Sequence, residues 1–175
     1  PVGGGRAVQR VVAFAGSSER CAVDFGILGP LHISRDGRQL GLCGHRQKVV
    51  VCLLLLHANE VISAEQIIDV LWGEAAPETA RKAPQVYISR LRRILGAGVL
   101  ETRAPGYLIR IQDGELDVQR FERLVAQGKH ALATGDPGRA AALLRTALVL
   151  WRGPALADVM YEPFAQAEAG GWKLN

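Results

Sequence analysis

The stretch Lys82–Leu95, KAPQVYISRLRRIL, holds the residues best suited to act on a partner. Wound as a helix, Pro84, Tyr87, Ile88, Leu91, Ile94 and Leu95 gather within about 120° of arc, which makes a core-facing stripe. Lys82, Gln85, Val86, Ser89, Arg90 and Arg93 fall on the opposite side. That side carries cations and amides and no carboxylate, whereas an ordinary solvated helix mixes both signs. An anionic partner is the first implication. A nucleic-acid duplex presents about one negative charge per 1.7 Å of axis, and its major groove admits a helix. Arg bonds guanine O6/N7 as a fork, Gln bonds adenine N6/N7, and an apolar side chain touches the thymine methyl. Gln85, Val86, Arg90 and Arg93 therefore have base-edge chemistry, while Lys82, Ser89 and Arg92 suit phosphate. The alternative is a solvated cationic face with no ligand.

The charge of the whole chain points to the same place. The 175 residues leave room for one full domain and part or all of a second, and the net charge is only +4. Residues 79–110 hold seven Lys/Arg against one Glu (Glu101), a net +6, while residues 1–78 and 111–175 are each net −1. A local basic block of this kind is a nucleic-acid footprint. No catalytic constellation accompanies it, so an enzyme is not expected. His32, His45, His57 and His130 lie on different elements without metal-ligand spacing, and Cys21, Cys43 and Cys52 form no CxxC pair. They read as small buried or half-buried residues in a reducing cytoplasm. Gly3–Gly5 is not followed by Lys-Ser/Thr, so no phosphate-binding loop is present. No cofactor or metal is expected. The apolar run Val11–Gly16 is too short to span a membrane.

The elements that must position the basic helix are legible around it. Residues 1–22 are Gly-rich, lack an initiating Met, and are expected to be a disordered extension of a fragment or processed product. Val23–Leu28, Leu31–Ser34 and Gln39–Leu42 read as strands, with Asp36-Gly37 as the hairpin signal. Arg46–His57 reads as a heavily buried helix ending near Asn59, a left-handed cap. Ser63 and Gln66 form a capping box for the next helix, which Gly73 ends. Gly73–Arg81 is a loop. Pro84 is tolerated in the first turn of the basic helix, which therefore starts at Ala83 or Pro84. Val99–Arg103 and Tyr107–Ile111 form a hairpin across Ala104-Pro105-Gly106. Strands, three helices and a hairpin make an α+β winged helix-turn-helix with an extra N-terminal antiparallel sheet, over residues 23–112.

Within that order, Arg103 is the natural finger of the C-terminal wing. Tyr107 either bonds a phosphate or packs the hairpin on the third helix. Arg46, Gln47 and Lys48 open the first helix, where free N–H groups favour phosphate; the alternative is snorkelling without a ligand. From residue 116 to 175 the chain turns Ala/Leu-rich, with helices at Asp117–Ala133 and Arg139–Trp151 around a Gly135-Asp136-Pro137-Gly138 break, and a third from Asp158 to Ala169. This resembles one unit of an all-α helical-repeat, TPR-like array. One pair cannot bury its apolar faces alone, so this domain is incomplete or leans on the first domain or on a partner. Trp72, Trp151 and Trp172 read as packing anchors.

VYISRLRRIL followed by TRAPGYLIRI resembles the recognition helix and wing of the OmpR-type winged helix. With FGILGPLHI, GHRQKVVVCLLLLHANEVIS, DVLWG and FERLVAQGKHALATGDPGRAAALLRTALVLWRGPALADV, residues 23–169 resemble the Streptomyces antibiotic regulatory protein family. That family joins the winged helix to a bacterial transcriptional activation domain. The resemblance implies a cytoplasmic, nucleoid-associated activator of secondary-metabolite genes. Such a protein binds direct repeats of double-stranded DNA near promoters, as a homodimer or side by side, and recruits RNA polymerase. It also implies that the loop carrying Glu74, Glu78 and Arg81 can touch polymerase. Two departures stand out: Pro84 replaces an aliphatic residue, and AGGWKLN after Glu168 replaces charged helix, so the activation domain is expected to be cut short. A competing class is a helical protein-interaction module whose basic helix docks an acidic protein.

Overall fold

The computed structural model describes residues 23–96 and 98–169; the N-terminal 22 residues, Cys21 among them, lie outside these. Strands β1 (Val23–Gly26), β2 (His32–Arg35) and β3 (Arg38–Gln39) form an antiparallel sheet in that order. Asp36 and Gly37 both take positive φ, 50° and 75°, as the two-residue turn between Arg35 and Arg38 demands. Helix α1 (His45–Leu56) follows, buried continuously from Val49 to Leu55, so it forms the centre of the fold and not an amphipathic cover. Asn59 takes the left-handed conformation (φ 68°) just past its end. Its side chain accepts from Ile111 N–H at 3.0 Å and donates to Ile111 C=O at 2.9 Å, tying the end of α1 to the chain 52 residues later.

Helix α2 (Ala64–Trp72) carries the expected capping box: Gln66 N–H donates to Ser63 Oγ and Ser63 N–H to Gln66 Oε1. Immediately before it lies a strand absent from the sequence-based expectation, β4 (Ile62–Ser63). It pairs with β6 (Gly106–Ile109), which pairs with β5 (Leu100–Arg103), so the hairpin is two-thirds of a three-stranded sheet. Gly106 is needed for that pairing, because a Cβ there would lie 1.8 Å from Ile62 C=O. The expected loop 73–81 is instead two 3₁₀ turns, Gly73–Ala75 and Glu78–Lys82. The second runs directly into α3 (Ala83–Leu95), with Pro84 buried in its first turn.

The C-terminal helices are α4 (Asp117–Ala133) and α5 (Pro137–Val149), joined by Gly135 at φ 81° and by Asp136, whose carboxylate accepts from Arg139 N–H at 2.9 Å. The expected helix 158–169 is divided into a 3₁₀ turn, Ala157–Val159, and α6 (Pro163–Ala169). Pro163 cannot continue a helix but is suited to start one. No helix among the described residues is long and apolar enough to cross a membrane.

Packing does not stop at residues 112–116. Asp117, only 3% exposed, accepts from Ile27 N–H at 2.9 Å and Leu28 N–H at 3.0 Å, and pairs with Arg152 Nη2 at 3.1 Å. Arg152 returns its own N–H to Leu28 C=O and its Nη1 to Pro30 C=O, both at 2.8 Å. Leu156 N–H donates to Ile27 C=O at 2.8 Å. The loop after β1 is thus held by α4 on one side and by the segment after α5 on the other. A single buried cluster includes Phe25, Leu54 and Leu91 together with Phe121, Leu156 and Val159.

Asp117→Ala would strand two buried N–H donors and the Arg152 guanidinium. Each unpaired buried donor costs about 1–3 kcal/mol, so the expected loss is about 2–5 kcal/mol in a denaturant melt. Asp117→Asn keeps one acceptor and should fall between. A melt of Asp117→Ala within about 0.5 kcal/mol of wild type, the ordinary range for an uninvolved surface site, would show that the clasp contributes little.

Candidate nucleic-acid interface

Helix α3 is divided as its periodicity predicts. Pro84, Ile88, Leu91 and Leu95 are buried, Tyr87 and Ile94 are half-buried against the core, and Lys82, Gln85, Val86, Ser89, Arg90 and Arg93 are exposed. Val86 is 46% exposed, unusual for valine and consistent with a face kept for contact rather than for core. Among the described residues Lys82, Arg90 and Arg93 have no carboxylate partner, and neither has Arg81 on the preceding turn. They form a continuous strip of unneutralised cations flanking Gln85 and Val86.

The hairpin cations are arranged differently. Arg103 is exposed, but its Nη2 lies 2.9 Å from Glu101 Oε2; Arg110 Nε meets Oε1 of the same carboxylate at 2.6 Å. The bond from Arg110, then that from Arg103, pulls the Glu101 pKa down to about 2. Arg103 is therefore a finger already held by a carboxylate. Tyr107 is half-buried, packed on the core and opposite Thr102 in the β5–β6 register, so its ring joins the hairpin to the body.

Three expected phosphate-contacting residues are placed otherwise. Gln47 is 6% exposed and inside the first turn of α1, so it is not a surface residue at all. Lys48 is turned toward the C-terminal helices, where its ammonium pairs with Asp158. Burial disfavours the Asp158 carboxylate, but Lys48 and the Leu31 N–H outweigh that and hold its pKa below the usual carboxylate range. Arg92 spends its guanidinium on the hairpin: Nε donates to Leu100 C=O at 3.1 Å and Nη2 to Thr102 Oγ1 at 2.7 Å. Of that opening trio Arg46 alone remains outward, its guanidinium 4.9 Å from the centre of the Trp72 ring. Such a cation–π contact limits the motion of a surface arginine without neutralising it.

Other features escaped the sequence. Trp72 is a platform for Arg46 and not only a packing anchor, and Glu101 and Thr102 organise the hairpin. The signal for Glu101 was available, since it is the single acid in a block of seven cations. In the loop between α2 and α3, Glu78 and Arg81 are exposed; of Glu74 only the backbone is described, in the turn Gly73–Ala75. Cys43 is exposed rather than half-buried, and Cys52 is buried, which pushes its thiol up to about 12.

Two family models match adjacent parts of the chain: "Transcriptional regulatory protein, C terminal" over residues 42–109 and "Bacterial transcriptional activator domain" over residues 116–173. The regulatory protein AfsR of Streptomyces coelicolor is 39% identical over 172 residues, 95% of this chain and 17% of AfsR. The transcriptional regulator RedD of the same species is 37% identical over 144 residues, 78% of this chain and 41% of RedD. A solved structure of Mycobacterium tuberculosis EmbR in complex with a low-affinity phosphopeptide superposes with a TM-score of 0.82 at 34% identity, covering 87% of this chain and 42% of that one. The chain spans less than half the length of each of these relatives.

Glu101 offers a direct test of the hairpin's electrostatics. Its folded pKa lies below the ordinary 4.5, so its stabilising effect is complete above that pH and is lost as pH falls toward about 2. Glu101→Gln should remove that part of the acid-induced loss of stability while leaving the neutral-pH fold intact. Acid titrations of wild type and variant that run parallel between pH 4.5 and 2 would show the carboxylate is not held as described.

Proposed function

Since this chain belongs to the Streptomyces antibiotic regulatory protein family of transcriptional regulators, joining an OmpR-type domain to a bacterial transcriptional activator domain, we propose that it is a sequence-specific double-stranded DNA-binding activator. The observation that carries the proposal is the exposed face of α3, whose cations around Gln85 and Val86 have no carboxylate partner among the described residues. Seated in a major groove, Arg90 and Arg93 fork onto guanines, Gln85 bonds adenine, and Val86 meets a thymine methyl. Lys82 and Ser89 contact phosphate, as does Arg46 on its Trp72 platform, while Arg103 shares its charge between Glu101 and the neighbouring backbone or minor groove.

In this reading the chain is divided into a DNA-binding unit at 23–112 and, from 116, an activation domain whose α4–α5 hairpin is one TPR-like repeat unit. Residues 1–22 are an extension outside both. Family relationship supports direct repeats near the promoters of secondary-metabolite genes as the targets, with copies bound side by side and a nucleoid location. RNA polymerase is the proposed downstream partner, reached through the exposed Glu78 and Arg81 turn, Glu74 beside it, and through the helical half. For that half a protein-contact role has its own support: Leu132, Leu148 and Val149 are 61%, 51% and 79% exposed. Leu132 lies beside the turn between α4 and α5 and Leu148 and Val149 at the far end of α5, so a partner covering them would span the length of this helix pair.

Two substitutions separate base reading from phosphate binding. Arg93→Ala should weaken binding to a selected duplex by about 1–3 kcal/mol and leave binding to random duplex nearly unchanged. Arg46→Ala should weaken both alike and lower the slope of log K against log salt by about one. Mobility-shift titrations at several salt concentrations measure each. Equal loss on both duplexes for Arg93→Ala would make it a phosphate contact, and failure of the wild-type chain to bind any duplex at low salt would reject the proposal.

A further inference from the structure

Arg92 lies in the last turn of α3, between Arg90 and Arg93, yet its guanidinium points to the hairpin and not outward with theirs. Strand β5 is an outer strand of its sheet. Arg110 N–H donates to Val99 C=O at 2.8 Å. In an antiparallel pair the inward-facing groups alternate, so the Leu100 C=O is turned to the free edge, away from β6. Arg92 Nε occupies that carbonyl at 3.1 Å, and Nη2 reaches Thr102 Oγ1, two residues along the same strand, at 2.7 Å. Two donors on one edge of a planar fork thus grip two acceptors at the strand's own repeat. A lysine ammonium cannot reproduce that geometry.

The residue after Thr102 is Arg103. The arm that carries the wing's cation is therefore fastened, at its base, to the helix that carries Arg90 and Arg93. We propose that Arg92 is a positioning residue, a strut that fixes the hairpin relative to α3, so that groove reading by the helix and contact by the wing occur in one set geometry. The proposal rests on the DNA-binding reading above and names how its two contact elements are coupled. A phosphate-binding Arg92 would have to release both acceptors and leave the edge carbonyl of Leu100 without its donor. Pre-fixing two contact elements lowers the ordering cost of binding, so loosening the strut weakens affinity without removing any contact.

The test uses the full chain and a duplex selected by it from a randomised pool. Thr102→Val removes one acceptor and leaves Arg92 and every charge in place, while Arg92→Lys keeps the charge and loses the fork. Both should weaken binding to the selected duplex about 3- to 10-fold, the value of one net hydrogen bond, with the salt slope unchanged. Hydroxyl-radical protection should fade under the hairpin and persist under α3. In the free protein, amide exchange across β5 and β6 should accelerate by a similar factor.

If Thr102→Val and Arg92→Lys bind as wild type while Arg92→Ala lowers the salt slope by about one, Arg92 is a phosphate ligand and the strut is rejected. Should the wild-type chain bind no duplex, the DNA reading falls separately, and the exchange measurement alone decides whether Arg92 braces the hairpin. Unchanged exchange in both variants overturns it.

Discussion

A single carboxylate, that of Asp117, holds together parts of the chain that sequence order keeps far apart. It lies at the first turn of α4, buried, and its oxygens take the N–H groups of Ile27 and Leu28. Those two residues follow β1 and have no sheet partner of their own, so without an acceptor their backbone could not be buried. The start of α4 suits the role, because a helix N-terminus favours negative charge. Arg152 completes the group and has room only because Gly26 and Gly29 lack side chains: a Cβ at Gly26 would lie 2.2 Å from its guanidinium. The N-terminal sheet, the segment after α5 and helix α4 are therefore positioned by one charge group, and α1 packs against what they enclose.

From that clasp the effect reaches the basic face through apolar contact. Val49–Leu55 of α1 are buried throughout, in one cluster with residues of the early strands and the inner stripe of α3. Asn59 ties the end of α1 to Ile111, and Ile62–Ser63 ties the start of α2 to the hairpin. The outward face of α3 is thus set by how deeply Ile88, Leu91 and Leu95 enter the core. Lys48–Asp158 and His45–Glu162, the latter at 2.7 Å, fix the C-terminal segment to the opposite end of α1. Both halves of the molecule are registered against the same helix.

How much of this was readable in the sequence follows from the range of the interactions. The two faces of α3, the Asp36-Gly37 turn and the Ser63–Gln66 box depend on neighbours within a turn or two, and each is legible. Strand β4 is not, because two residues have no periodicity and pair only across the fold with Gly106 and Tyr107. Lys48 shows the same limit at the site: its carboxylate partner is 110 residues away, and nothing near it distinguishes an internal ion pair from a phosphate clamp. Gln47 fails for a different reason. In a helix buried on nearly every side, a polar residue one turn in is buried with it, and the free N–H groups nearby do not make its side chain available.

The basic block shows most plainly what folding adds to composition. Seven cations and one acid look equivalent in sequence, and over a screening distance of about 8–10 Å they do act as one positive field. At contact distance they separate into classes. Arg103 and Arg110 share Glu101, Arg92 braces β5, and Arg81, Lys82, Arg90 and Arg93 have no carboxylate partner among the described residues. In the proposed DNA-binding reading, long-range attraction of a polyanion depends on the whole block, and the contacts that could distinguish one duplex from another fall to the cations without a carboxylate partner. The hairpin's charge is moderated by its own carboxylate, so under that proposal the helix, and not the hairpin, is the element that discriminates. Net charge thus locates the proposed interface, and the hydrogen bonds within it separate the cations left available to a partner from those that hold the surface in shape.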